Sequence, residues 1–252
     1  MEKELIYLRF ERENLQVFFA ALAFIEKCNE NRIFLFDANN ISILTECAKY
    51  VSFEIEKASI TSKFEDIQIT IIHPLPQTEI TNYYTAPLIF PRVINSMFHK
   101  EYESKINKTY FRGLLTKRRL IEIIYLFFLL MDLKALFILV KNLLRSKREF
   151  LVRSSKVHMA FTNRGRLSEF KYLDEDYYRE MSNYKYVFCP KGDFIWTYRF
   201  YEAIQVGSIP LSFFSTKIYS PFFYLRKPHA NTATMKEEAI NNFKKFKEIY
   251  YL

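Results

Sequence analysis

Glycine is scarce in this chain: 252 residues carry 4, beside 8 prolines, 3 cysteines and one tryptophan. So few glycines and prolines exclude a collagen-like or low-complexity chain. Cys28, Cys47 and Cys189 are odd in number and share no close spacing, and His73, His99, His158 and His229 are scattered. With neither Cys-x-x-Cys nor His-x-x-x-His present, the sequence argues against a structural zinc site. Met1-Glu2-Lys3-Glu4 lacks the basic region and apolar core of a secretory leader, so the expected setting is a reducing cytoplasm, with Cys189 a buried free thiol. No charge-free apolar run approaches the length of a membrane span, roughly 18 residues or more.

What the chain has in quantity is hydrophobic surface and positive charge. Half of it is hydrophobic and 18% is aromatic, enough for a sizeable core and too much for disorder. The formal charge is +9, which implies an anionic partner. No RNP-like or helix-turn-helix signature accompanies that charge, and nucleic acid is not the expected partner. The charge is uneven: between 141 and 156, Lys141, Arg145, Lys147, Arg148, Arg153 and Lys156 stand against Glu149 alone. This band follows a greasy stretch, Leu120 to Leu144, interrupted only by Glu122, Asp132, Lys134 and Lys141. Read as one helix, it puts Lys134, Lys141 and Arg145 on a single stripe. Two readings stay open: an element at the interface of an anionic bilayer, or a helix or helical hairpin docked in the core.

Along the first hundred residues strand-like and helix-like periods alternate. Strands are expected at 5–10, 32–37, 51–55 and 67–73, and helices at 14–28 and 41–49. The stretch 81–92, with Pro87 and Pro91, reads as irregular. From Lys108 a second set begins: a strand at 109–111, another at 157–162, a helix over 174–183 and a terminal helix over 235–250. The alternation favours parallel α/β sheets and two domains, 1–107 and 108–252.

The most specific stretch runs from Tyr184 to Pro210. Tyr186-Val187-Phe188 is a short apolar strand stopped by Cys189-Pro190, and Lys191-Gly192-Asp193 is turn chemistry. A helix then opens with Thr197 as its N-cap and ends at Gly207, before the strand Ile209-Pro210-Leu211. A helix N-terminus beyond a strand's carboxyl end suits a diphosphate. Arg199 in its first turn offers a fork of donors to phosphate, and Glu202, three residues on and on the same face, offers two acceptors to vicinal hydroxyls.

At Phe188-Cys189-Pro190-Lys191-Gly192, Arg199-Phe200-Tyr201-Glu202-Ala203 and Gly207-Ser208-Ile209-Pro210 the chain resembles the exostosin family of glycosyltransferases. A weaker likeness lies in Lys108 to Arg119, similar to the segment that opens the family's donor domain. The resemblance implies two Rossmann-like lobes facing a cleft (a GT-B-like fold), with a short acceptor-side lobe first and a nucleotide-sugar lobe second. It implies transfer of a sugar from a nucleotide-diphosphate sugar to a glycan or lipid-linked glycan, in cell-surface polysaccharide or glycoconjugate synthesis. The arginines can compensate the diphosphate without metal or cofactor, and the greasy and basic stretch over 120–156 offers a peripheral seat at the inner membrane face. Donor-binding roles fall on Arg199, Glu202, Arg112, Gly113, Arg119, Lys191 and Gly192. Fucosyltransferase-like and lipopolysaccharide-modifying enzymes share this motif outline, and a non-catalytic basic membrane protein is the alternative outside catalysis. The Asp-x-Asp motif of metal-dependent glycosyltransferases is approached only by Asp174-Glu175-Asp176, which reads as a helix start. For the catalytic base the sequence offers Asp37, at the end of a buried strand, and more weakly Asp193 and His99. Asp37 equally fits the start of the helix near Asn40.

Overall fold

The computed structural model describes residues 3–10, 14–28, 32–59, 63–72, 77–80, 84–162, 172–191, 196–228 and 234–251. The chain divides into two units, Met1–Met97 with Lys171–Leu173 and Glu248–Leu252, and Phe98–Phe170 with Asp174–Lys247. Each unit is an α/β layer structure on a mainly parallel sheet.

In the first unit β1 (Glu4–Phe10), β2 (Arg32–Phe36), β3 (Glu54–Lys57) and β4 (Glu65–Ile72) run parallel in the order β3-β2-β1-β4. Two antiparallel strands, β5 (Gln77–Ile80) and β6 (Tyr84–Pro87), extend the β4 edge. Between β1 and β2 lies α1 (Leu15–Cys28), begun by Asn14, whose Oδ1 accepts from the N–H groups of Gln16 and Val17 at 2.9 Å each. Its nine consecutive residues Val17 to Ile25 are all buried, as expected of a helix that is apolar all round. A shorter helix, α2 (Ile41–Cys47), follows β2, and α3 (Arg92–Phe98) follows β6.

Two departures from the sequence reading have a common cause. The third strand is 54–57 rather than 51–55, and the stretch expected to be irregular contains β6. Both are short edge strands whose pairing comes from a neighbouring strand, and β3, exposed at all four positions, has no inward face to leave a trace in the sequence.

In the second unit β7 (Ile106–Leu114), β9 (Val157–Thr162), β10 (Tyr184–Phe188) and β11 (Ile209–Leu211) are parallel in the order β11-β10-β7-β9, with β8 (Phe150–Arg153) antiparallel at the edge. The chain leaves β7 for β9 on one side and later crosses to β10 on the other, so the topological switch point lies between β7 and β10. Ligands of open α/β sheets bind at the carboxyl ends of such strands.

The greasy stretch is two helices, α4 (Lys117–Leu129) and α5 (Leu133–Leu144), rather than one, and each buries only part of its surface. The break is local: Met131 adopts φ 51°, and Asp132 caps α5 by accepting from the Ala135 N–H at 3.1 Å. Phe127, Leu126 and Ile123 of α4 and Ala135 and Leu139 of α5 enter the core with Phe111, Met159 and Phe161. Next come α6 (Glu175–Met181), α7 (Tyr198–Gln205) and α8 (Met235–Tyr250). Gly207 ends α7 at φ +80°, donating to the Ile204 carbonyl while Ser208 donates to that of Ala203. A Cβ there would meet the Lys100 carbonyl oxygen at 2.5 Å.

Candidate functional site

The carboxyl ends of β7 and β10 carry most of the expected site residues. β7 ends in Arg112-Gly113-Leu114 and leads through Thr116 into α4; β10 ends in Phe188 and leads through Cys189-Pro190-Lys191 toward α7. Gly192 and Asp193 lie outside the described residues.

Arg199 is the residue that joins the two strands' ends. From the first turn of α7 its Nη2 donates to the Arg112 carbonyl oxygen at 2.7 Å, and its guanidinium carbon lies 4.6 Å from the Phe111 ring centroid. Among the described residues its buried Nε has no hydrogen-bond partner. Gly113 permits this placement: a Cβ on it would stand 2.8 Å from Arg199 Nη2 and 3.3 Å from Phe111 Cζ. The sequence motif links Arg199 with Gly113 only by analogy; in the folded chain they touch.

The first turn of α4 is unusual for a helix start. It holds Lys117, Arg118 and Arg119 and no acid, although the positive end of the helix dipole favours carboxylates. Thr116 caps this end, accepting from the Arg119 N–H at 3.3 Å, and Arg119 Nη1 donates to the Leu114 carbonyl at 3.0 Å. Lys117 and Arg118 are exposed and Arg119 is half-buried, so three cations stand where the backbone is already positive, against the usual preference for acids there.

Lys191 contributes its backbone N–H to the carboxylate of Glu122, at 3.3 and 3.4 Å to its two oxygens. Burial raises the Glu122 carboxyl above the usual carboxylate range, against the pull of this N–H and of Arg118, Arg119 and Lys191. In the sequence Glu122 stands out only as an interruption of an apolar run. A lone acid in such a run is itself the available signal, because a half-buried carboxylate needs partners.

Several expectations change on inspection. Arg112 lies within strand β7, and its guanidinium sits 3.5 Å from Asp174 and 3.9 Å from Glu180, so its charge is already answered. Thr197 stands at the N-cap of α7 but its side chain caps nothing; its own N–H donates to Tyr219 Oη at 2.7 Å, and Tyr219 stacks on Phe200 with centroids 3.6 Å apart. Glu202 is fully buried, with its two oxygens accepting from Tyr177 Oη at 3.0 Å and Tyr178 Oη at 2.8 Å. In this state it ties α7 to α6 rather than presenting free acceptors. Asp174 is the N-cap of α6, accepting from the Tyr177 N–H at 2.9 Å, as the helix-start reading required. Cys189 is a buried free thiol pushed up to about 12 by burial.

The candidates for the base fare less well. Asp37 follows β2, but its oxygens accept from the Asn39 N–H at 2.7 Å, from Tyr7 Oη at 2.9 Å and from Asn39 Nδ2 at 3.0 Å. Burial works to raise its carboxyl, yet these bonds outweigh it and hold it below the ordinary value, which suits a turn better than a proton acceptor. His99 lies at the opposite end of the second sheet from Arg199: its Nδ1 is 3.2 Å from the Gln205 carbonyl, beside Gly207 and ahead of the start of β11. It also stacks on Phe243 with centroids 4.4 Å apart, and burial lowers its pKa.

No model of a known protein family and no curated protein sequence matches the chain, so the exostosin resemblance gains no support from either. One solved structure is similar. It is an alpha-glucosyltransferase in complex with UDP-glucose and DNA containing an abasic site, at 10% identity and a TM-score of 0.42, covering 98% of this chain and 87% of that one. A score of that size is too low to transfer anything, and the functional reading rests on this chain's own residues.

Proposed function

We propose that this protein is a glycosyltransferase that binds a nucleotide-diphosphate sugar at the carboxyl ends of β7 and β10 and passes the sugar to a glycan or lipid-linked glycan. The observation that carries the reading is the seat of Arg199. Its guanidinium rests at the switch point, against a glycine that alone leaves room for it, with Nε uncommitted among the described residues. The α4 N-terminus, with Lys117, Arg118 and Arg119, supports the same conclusion from the other strand.

Chemically, the transfer needs compensation for the charge that grows on the departing diphosphate. Arg199 and the first-turn cations of α4 supply it as fixed positive charge, with the two helix N-termini adding backbone donors. Glu122 contributes by holding the Lys191 backbone, at the last described residue before Gly192. Arg112 and Glu202 serve this site indirectly, by fixing β7 and α7 against α6. The first unit, in this reading, serves the acceptor.

The test is direct. The protein is incubated with a panel of UDP- and GDP-sugars and acceptor glycans while donor binding is titrated. One donor should bind and turn over in the parent, and Arg199→Ala should lose about 30-fold or more in turnover. A parent protein that binds none of the panel, or an Arg199→Ala variant that equals it, overturns the proposal.

A further inference from the structure

The α4–α5 hairpin leaves a large apolar face uncovered. Ile121, Tyr125 and Phe128 of α4, Met131 in the turn, and Leu133, Phe137, Val140 and Leu144 of α5 are between 42 and 82% exposed. Monomeric proteins rarely leave so many large apolar side chains together in water. On α5 the pattern is regular. Leu133, Phe137, Val140 and Leu144 recur at spacings of four, three and four, forming one stripe beside the face that Ala135 and Leu139 bury. Lys134, Lys141 and Arg145, all exposed, form a second stripe about 100° further round, the angle of one helical residue.

Charge decides what covers this face. From Leu133 to Arg148 the chain carries Lys134, Lys141, Arg145, Lys147 and Arg148 and no acid; Asp132 just before is buried in its capping role, and Glu149 just after is a single exposed acid against the five cations. A second copy of the chain would bring the same cations against themselves, which disfavours a symmetric pairing. An apolar stripe flanked by a basic one is the arrangement that rests in a bilayer interface, side chains among the acyl chains and cations among anionic headgroups.

The geometry points to α5, with the turn and the end of α4, as a docking face for an anionic lipid surface. This inference does not depend on the proposed activity. No helix among the described residues is long and apolar enough to cross a membrane.

The full-length protein is mixed with vesicles of phosphatidylcholine alone, or of phosphatidylcholine with phosphatidylglycerol, and sedimented. Binding should require the anionic lipid and should fall as salt rises from about 0.1 to 1 M, over which the Debye length shrinks from about 10 to 3 Å. Lys134→Gln with Lys141→Gln and Arg145→Gln should weaken it on the order of 100-fold, at about fivefold for each charge. Phe137→Asp with Leu144→Asp should abolish it, and since both positions are exposed, each variant should melt like the parent. Failure to sediment, equal binding to neutral vesicles, or binding untouched by both variants would overturn the inference. So would a concentration-dependent dimer that Phe137→Asp dissolves, which would make the occupant a second copy.

Discussion

Gly113→Ala is the sharpest probe of the site, because it moves Arg199 without touching it. The new methyl would stand 2.8 Å from Nη2, closer than real Cβ contacts come, and the flexible end of Arg199 is what must yield. Its bond to the Arg112 carbonyl is lost, a charged hydrogen bond of about 1.5–3 kcal/mol, with roughly 0.5–1 kcal/mol of cation–π contact to Phe111. A guanidinium displaced from the diphosphate should cost donor turnover about 2–4 kcal/mol, or roughly 30- to 1000-fold. The decisive experiment is the double-mutant cycle with Arg199→Ala, read in kcat/KM for the donor and in urea unfolding. Both substitutions act through one guanidinium, so the double variant should be no slower than Arg199→Ala alone. Without the guanidinium the methyl has only Phe111 Cζ to displace, and Gly113→Ala should then gain about 0.5–1 kcal/mol of stability from its stiffer unfolded chain. Losses that add, or a Gly113→Ala protein with parental turnover, would refute the idea that Gly113 exists to seat Arg199.

Three further outcomes are expected from the same geometry. Glu202→Gln leaves one of Tyr177 and Tyr178 without its carboxylate acceptor and should lower unfolding free energy by about 1–3 kcal/mol in denaturant titrations; unchanged stability would show that these bonds do not hold α7 to α6. Lys105 is buried and has no carboxylate partner among the described residues; it donates to the carbonyls of Ser182 at 2.6 Å and Val206 at 2.8 Å, and burial, with Lys100 nearby, lowers its pKa from 10.5 to about 7. The folded state therefore binds fewer protons than the unfolded one between about 7 and 10.5, so stability should rise with pH across that window, by at most about 1.4 kcal/mol per unit, relative to Lys105→Met. Asp37→Asn should keep parental turnover while losing stability above pH 4, since the depressed carboxyl stabilises the fold above its unfolded value of 3.8 and ceases to as pH falls through its folded value; a collapse in kcat would restore it as the base.

The elements that can be read from sequence are those whose face is recorded in their own residues. The inner strands β1, β2, β9 and β10 and the helices α1 and α8 lie close to the expected spans, because burial on one or both sides forces a pattern. β5, β6 and β8 are invisible in it: four residues each, they are strands only because β4, β5 or β9 offers a partner. At the site, spacing finds Arg199 and its loop but cannot say where neighbouring side chains point. Arg112 faces Asp174 and Glu180, and Glu202 faces two tyrosines, partners that are 62 and 68 residues from Arg112 and 24 and 25 from Glu202. His99 is misplaced by a sequence reading because residue order does not reveal which end of a sheet a side chain meets.

The turn of the α4–α5 hairpin is bolted to the sheet behind it. Asp132 accepts from Ser154 Oγ as well as from Ala135, the same Ser154 oxygen accepts from the N–H groups of Lys156 and Val157 at 3.0 Å each, and Lys156 Nζ donates to the Leu130 carbonyl. An anchor hung on a slack linker would let its cargo tumble above a surface. The hairpin is clamped at the bend to the entrance of β9, so a plane that captured it would also set the tilt of β7 and of the Arg199 seat at its far end. Encounters with a partner confined to the same plane would then become a search over position alone, with the angular part settled in advance by a serine and an aspartate.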